Sequence, residues 1–380
     1  MRIGLFTECY HPIVNGVVAS IDGLAAGLRG LGNETFIFAP AMPGYRRREE
    51  GVYRIPSLPL PIDSAYRLTV PVVGPRRGVP VLNTLDVIHA NSPFVTGWMA
   101  VRYARRRRIP LVYTYHTRLE QYVHYVPFDP NAAVRAAFSL TRRFANLAGA
   151  VIAPSAAMAD RLREIGVRMP IHVIPSGIDL ALFGSGKRRS DLRRSLGALD
   201  GERLLFLASR LAREKNVDLV LEAVAQANVP VRFAIAGEGP ERRALEERAI
   251  ALGIGGRTAF LGEVKREDLP DLYASADAFV FPSVTETQGL VLVEALAAGS
   301  FIIAAEAPQT RSIVGTAAAV IPPTAAAFAA AIERVPATPD PGRAESAKQL
   351  ASRFGISAQA ARVLGVYDEL RLRRLSLDST

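Results

Sequence analysis

Ser283-Val-Thr-Glu-Thr-Gln-Gly-Leu-Val-Leu-Val-Glu-Ala-Leu-Ala-Ala-Gly299 decides how this chain reads. A strand-like run, Ala278-Phe-Val-Phe281, stops at Pro282 just before it. A short polar loop follows, and an apolar helix is predicted from near Gly289 to Gly299. Glu294 falls inside that helix among Leu292, Val293, Ala295 and Leu296. A carboxylate in so apolar a setting is costly unless it meets hydrogen-bond donors. The hydroxyls of a ribose are such donors. Glu286 falls in the loop at the strand's carboxyl end, where open α/β sheets hold their ligands. The amides of Gly289 and Leu290 open the helix and suit a diphosphate. One loop–helix unit therefore offers seats for a sugar, a diphosphate and a ribose.

Outward from that segment, short apolar strands alternate with amphipathic helices. In the first half, Arg2–Phe6, Glu34–Ala39, Val87–His89, Leu111–Tyr115 and Ala150–Ala153 read as strands. Between the first two, Val17 to Leu31 reads as a helix with Ile21, Leu24 and Leu28 on one face. The pattern restarts at Arg203–Ala208 and continues through Val231–Ala236, Thr258–Leu261, Ala278–Phe281 and Phe301–Ala304. Such alternation predicts parallel sheets covered on both faces. The fold class is thus α/β with two Rossmann-like domains, 1–177 and 178–356. The join is expected near Pro175-Ser-Gly-Ile-Asp179. Residues 41–84 are rich in proline and glycine, and 334–345 read as a connector. A last helix, Ser357 to Leu375 with Ser357 as N-cap, is expected to pack back on the first domain.

Bulk composition narrows the function classes. The 380 residues carry a net charge of +10, which calls for an anionic partner: nucleic acid, a membrane surface or phosphorylated substrates. Cys9 is the single cysteine, so an intramolecular disulfide and a multi-thiolate zinc site are excluded. No signal region and no bilayer-spanning run is read from the sequence. A cytoplasmic protein, peripheral at the inner face of the cell membrane, is the expectation.

Six motifs in order resemble the retaining glycosyltransferases of family four. They are Phe6-Thr-Glu-Cys-Tyr-His-Pro-Ile-Val-Asn-Gly-Val-Val18, Val112-Tyr-Thr-Tyr-His116, Pro175–Asp179, Ser209-Arg-Leu-Ala-Arg-Glu-Lys-Asn216, Gly237-Glu-Gly-Pro240 and the Glu286/Glu294 segment. A narrower likeness, to bacterial diacylglycerol glycosyltransferases, rests on Ala90–Phe94, Tyr113–Thr117 with Gln121–Pro127, and Glu286–Gly289. The resemblance implies the GT-B fold, with two Rossmann-like domains facing across a cleft. It implies an acceptor domain first and a nucleotide-sugar domain second.

It also implies roles. Glu286 binds the donor sugar's hydroxyls or steadies the reacting centre, and Glu294 takes the ribose diol. Arg210 and Lys215 hold the diphosphate in place of a metal ion, so no metal is expected. Gly16 admits a phosphate to the first helix, and Gly237 adjoins the nucleotide base. His116 approaches the donor sugar; His124 lies nearby and His11 is a further candidate for the cleft lining, both without an assigned role. The donor is a UDP-hexose, glucose or galactose, and the acceptor a membrane lipid such as diacylglycerol. A GDP-mannose-dependent mannosyltransferase and a catalytically silent basic surface-binding protein are the alternatives.

Each residue also has a plainer role open to it. Glu286 is then a solvated loop acid, Glu294 a partner of a nearby arginine, Arg210 and Lys215 surface charges, and Gly16 and Gly237 tight turns, with Pro240 at a helix start. The basic clusters Arg46–Arg48, Arg76-Arg77, Arg105–Arg108, Arg135 and Arg142-Arg143 all fall in the first domain. With Val134, Phe138 and Leu147 interleaved, Asn131–Leu147 reads either as a bilayer-binding helix or as a solvated face. No nucleic-acid motif accompanies the arginines. Three stretches depart from the family pattern: Ser300 where a proline is usual, Glu306–Ser312 without the expected glycines, and Gly315–Ala319 without an acidic turn.

Overall fold

The computed structural model describes residues 1–13, 15–45, 49–59, 67–71, 78–121, 129–336 and 338–378. The chain divides into two compact units, Met1–Gly177 with Ile356–Thr380, and Ile178–Gly355.

The first unit is built on a parallel sheet of seven strands. These are β1 (Arg2–Phe6), β2 (Glu34–Pro40), β3 (Val52–Ile55), β6 (Val87–Ala90), β7 (Leu111–Thr114), β8 (Ala150–Ala153) and β9 (Ile171–Val173). A small antiparallel ribbon, β4 (Ser57–Pro59) with β5 (Arg67–Thr69), stands outside that sheet. The sheet order is β3-β2-β1-β6-β7-β8-β9, so the winding reverses between β1 and β6. Every residue of β6, β7 and β8 is buried, which suits strands covered on both faces. The helix Gly16–Gly30 turns Ile21, Leu24 and Leu28 into a core shared with Val363, Val366 and Tyr367 of the closing helix Ile356–Asp378.

The second unit repeats the plan with six parallel strands. They are β10 (Arg203–Ala208), β11 (Val231–Ala236), β12 (Thr258–Gly262), β13 (Ala278–Phe281), β14 (Ile302–Ala305) and β15 (Ala318–Ile321). Their order, β12-β11-β10-β13-β14-β15, reverses between β10 and β13. Two cores flank this sheet, one led by Phe206, Tyr273 and Phe279 and the other by Phe233, Phe328 and Val280.

Three local expectations need correction. The stretch 334–345 is not all connector, because a helix, Pro341–Ala351, begins within it. Asp340 accepts from the amides of Gly342 and Arg343, and Pro341 takes the first helical position, where its missing N–H costs nothing. Ser357 does not cap the last helix, which has already begun at Ile356. Pro240 does not start a helix either; it lies in the turn before Arg242–Ala251.

Candidate active site

In the second unit, the reversal between β10 and β13 gathers two loops. The loop after β10 carries Arg210, a short 3-10 turn Arg213–Lys215, and Asn216 in a left-handed conformation (φ 52°). The loop after β13 runs from Pro282 to Gly289. Hydrogen bonds sew them together. Asn216 Nδ2 donates to the Pro282 carbonyl at 3.3 Å, and the Thr285 hydroxyl donates to the Glu214 carbonyl at 3.2 Å. Across this seam Lys215 Nζ donates to Glu286 Oε1 in a direct ion pair, with both side chains largely shielded from solvent. The residues expected to hold phosphate and sugar thus meet each other.

Gly289 follows at φ 78°, a conformation open to glycine at little cost. It is the N-cap of the helix Leu290–Ala297 and has no side chain to accept from the first-turn amides. Gly237 and Gly239 act on the other loop. A Cβ on Gly237 would stand 1.9 Å from the Ser209 carbonyl oxygen, and one on Gly239 would stand 2.2 Å from that of Leu211. Only bare backbone fits there, and Leu211 N donates to the Glu238 carbonyl at 2.9 Å. The Gly-Glu-Gly turn therefore clamps the backbone that carries Arg210.

Glu294 is 7% exposed. Its hydrogen-bond partner is a tyrosine, where the plainer reading had an arginine: the Tyr273 hydroxyl donates to Glu294 Oε2 at 2.9 Å. Burial raises the carboxyl's pKa, against the opposing pull of the Arg266 charge and of the Tyr273 bond. Tyr273 is braced in turn. The Ser300 hydroxyl donates to its carbonyl at 3.1 Å, while Ser300 N donates to Ala295 O at 2.9 Å. A proline at position 300 could make neither bond. The departure at Glu306–Ser312 also has a use, since buried Gln309 donates to the Val284 carbonyl at 3.0 Å and steadies the Glu286 loop.

In the first unit, His116 lies just beyond β7. Its Nε2 is 2.9 Å from Asn91 Oδ1, which places the ring proton on Nε2. Burial pulls the imidazole down to about 4, so it is neutral near pH 7. Asn91 N donates to Phe6 O at 2.8 Å and ties the ends of β6 and β1 together at the reversal. Behind them, His89 Nδ1 is 2.6 Å from the Tyr367 hydroxyl and Nε2 is 2.6 Å from Thr114 Oγ1.

Gly16 opens the first helix. Asn15 caps that helix by accepting from Val18 N at 3.0 Å. His11 Nε2 and the Tyr10 hydroxyl both meet Asp22, at 2.7 and 2.6 Å, and that pairing raises the His11 pKa. Burial pushes the Cys9 thiol up to about 11, which makes it a poor nucleophile. His124, with most of the Gln121–Pro127 motif, and the clusters Arg46–Arg48 and Arg76-Arg77 lie outside the described residues.

Several supporting residues escaped sequence reasoning. Tyr273, Asn91, His89, Gln309 and Glu8 each act through a partner distant in sequence. Glu8 accepts from the Thr69 hydroxyl (2.7 Å), from Thr96 N (2.9 Å) and from the Thr96 hydroxyl (2.7 Å). Its place within the Phe6–Val18 motif, in the first strand–helix loop, is the available signal.

Comparison with known proteins bears on the family and the fold. The family described as Glycosyltransferase Family 4 matches residues 14–182, and that described as Glycosyl transferases group 1 matches 188–353. The chain is 34% identical over 322 residues to the alpha-monoglucosyldiacylglycerol synthase of Streptococcus pneumoniae, covering 83% of this chain and 73% of that one. It is 31% identical over 320 residues to a GDP-mannose-dependent alpha-mannosyltransferase of Mycobacterium tuberculosis, covering 83% and 81%. Anabaena HepE, solved in complex with UDP-glucose, superposes with a TM-score of 0.76 at 23% identity, over 97% of this chain and 100% of that one. The chain belongs to glycosyltransferase family 4, and its fold is GT-B.

Proposed function

We propose that the protein is a retaining, metal-independent hexosyltransferase that moves glucose or galactose from a UDP-sugar to a membrane lipid such as diacylglycerol. The observation that carries this reading is the Lys215–Glu286 pair beside the helix start at Gly289, at the sheet's reversal. The choice of donor and acceptor is supported by the likeness to the pneumococcal synthase.

On this reading the diphosphate replaces Glu286 as the counter-ion of Lys215. Arg210 and the amides of Gly289 and Leu290 share the phosphate charge, which grows as the bond to the sugar breaks. Glu286, released from Lys215, accepts from the sugar hydroxyls. Glu294, held by Tyr273, accepts from the ribose diol. Gly237 shapes the Arg210 loop beside the base. In the first unit, Gly16 admits a phosphate, and neutral His116 hydrogen-bonds a hydroxyl. The acceptor oxygen bonds to the anomeric carbon on the face the diphosphate leaves. The carbon–phosphate-oxygen bond breaks, the acceptor proton passes to the departing phosphate oxygen, and UDP is released. The protein supplies no nucleophile, and its fixed cations do the work of a metal ion. The setting that fits is the cytoplasmic face of the cell membrane.

A second reading, transfer of mannose from GDP-mannose, is favoured by the likeness to the mycobacterial mannosyltransferase. Incubation with UDP-glucose, UDP-galactose or GDP-mannose and anionic vesicles holding diacylglycerol separates the two. Glycolipid made from a UDP-sugar, together with a higher Tm in UDP than in GDP, is expected. Transfer from GDP-mannose alone would replace the first reading with the second, and transfer from none of the three would end both.

A further inference from the structure

Large apolar side chains left in water are informative when they cluster. In the first unit, Phe94 is 44% and Trp98 37% exposed, four residues apart at the start of the helix Val95–Arg107. They share a helix face with exposed Arg102 and Arg105. The β4–β5 ribbon adds a cross-strand pair, Leu58 opposite Leu68, both exposed. Glu8 holds the ribbon to this helix end, because it bonds Thr69 next to Leu68 and Thr96 between Phe94 and Trp98.

The two helices beside these residues carry charge of one sign. Neither the helix Val95–Arg107 nor the helix Pro130–Ala145 contains an acidic residue. Exposed Arg135 and Arg143 extend the basic surface, and the Arg143 guanidinium lies 6.0 Å above the Trp98 ring. The apolar residues of the second helix take no part. Val134 and Phe138 are half-buried, Phe138 under the Arg161 guanidinium, and Leu147 packs on the core. Of the two readings of that stretch, bilayer insertion therefore falls to other side chains.

We infer that Phe94, Trp98, Leu58 and Leu68 form a membrane-inserting edge, flanked by the arginines of two acid-free helices, that docks the first unit on an anionic lipid bilayer. Aromatic rings sit well at the headgroup level, and basic side chains meet anionic headgroups just above it. The location fits a lipid acceptor. Phe94 follows Asn91 by three residues, and Asn91 accepts from His116. An acceptor whose chains stay in the bilayer would present its hydroxyl beside this edge. The inference rests on the lipid-acceptor reading and is tested separately from it.

Trp98 is the chain's single tryptophan, so its fluorescence reports on this edge alone. With vesicles of phosphatidylglycerol, its emission should shift to the blue and be quenched by brominated acyl chains. Vesicles of phosphatidylcholine should leave it unchanged. Phe94→Ser should weaken vesicle binding about tenfold through lost apolar burial. Arg102→Glu or Arg135→Glu should weaken it at least about fivefold, the share of one basic side chain at an anionic surface. Phe94→Ser should leave transfer to detergent-dispersed diacylglycerol unchanged while lowering transfer to vesicle-embedded diacylglycerol. Protein that pellets with anionic vesicles without any change at Trp98 would overturn the proposal, as would protein that pellets with none. Quenching of Trp98 without sugar transfer to any lipid would leave the docking edge standing and remove the assigned reaction.

Discussion

At the reversal between β10 and β13 an ammonium and a carboxylate meet across two loops; at the reversal between β1 and β6 the groups that meet are an imidazole and a carboxamide. Both places lie at the carboxyl ends of parallel strands, where this architecture leaves a crevice. The sheets are alike, and the chemistry placed on them differs. Lys215 and Glu286 meet as opposite charges, and a ligand's phosphate is an alternative partner for the ammonium. His116 is kept neutral by burial and can offer only hydrogen bonds near pH 7. The charged reversal suits a diphosphate and the neutral one a hydroxyl, so substitutions at the two should fail in different ways.

The largest effects are expected at the charged reversal. Lys215→Ala should remove a fixed cation from the departing phosphate and lower kcat by roughly a hundredfold to a thousandfold. It also strands the Glu286 carboxylate, so a Lys215→Ala/Glu286→Gln double variant should lose less than the product of the two single losses. Additive losses in a double-mutant cycle of kcat would show that the pair does not act as a unit. Glu286→Gln alone should cost kcat more than donor affinity, and a variant turning over at the unaltered rate would remove Glu286 from the reaction. Glu294→Ala should act on binding instead. Loss of charged hydrogen bonds to ribose would weaken UDP by roughly tenfold to a hundredfold in calorimetry, with no such change at His116→Ala.

How far this contrast could be foreseen depended on the range of the interactions. Strands such as Arg2–Phe6 and Ala150–Ala153 are visible as apolar runs because their burial is a property of each segment by itself. Glu286 and Lys215 stand out through their places after strands, yet nothing in their 71-residue separation shows that they touch. The three breaks in the family pattern read only as irregularities along the chain. In three dimensions, Ser300 and Gln309 brace Tyr273 and the Glu286 loop. Tyr273 itself is one more aromatic in an amphipathic helix until Glu294, 21 residues on, is brought to its hydroxyl. The helix at Pro341 departs from the sequence expectation because prolines near one another suggest a connector, whereas a proline after a capping aspartate starts a helix.

A smaller effect sharpens the account of Glu294. Its carboxyl pKa is raised by burial, and the charged form that would accept from ribose is favoured by the Tyr273 hydroxyl and the Arg266 charge. UDP affinity should therefore fall as the pH drops through the acidic range. Tyr273→Phe removes one of the two supports, raises the carboxyl's pKa further and moves that fall to higher pH. The variant should lose up to about tenfold in UDP affinity at pH 6 and less at pH 8, since one hydrogen bond to a charged group is at stake. Calorimetric profiles for the two proteins that differ by a constant factor at every pH would show that Tyr273 does not tune Glu294.

The smallest effect should separate the two units by their response to acid. Burial holds His116 down at about 4, and burial with the neighbouring His116 charge holds His89 at about 3, from an ordinary value of 6.5. Below pH 6.5 the unfolded chain takes up protons at these positions that the folded chain refuses until pH 4 and 3. Stability from the two imidazoles is therefore complete above pH 6.5 and is lost as the pH falls from there toward 4 and 3. Glu294 works with the opposite sign. Its folded form keeps a proton the unfolded form has lost, so its contribution improves on acidification through the same region. Because His89 bonds the Tyr367 hydroxyl, the loss should reach the closing helix. Amide protection factors in β6 and in Ile356–Asp378 should fall between pH 7 and pH 5 relative to those in β10 and β13. His89→Gln should flatten the difference without touching the second unit, and protection that fell equally in both sheets would show that the buried imidazoles do not set the acid response.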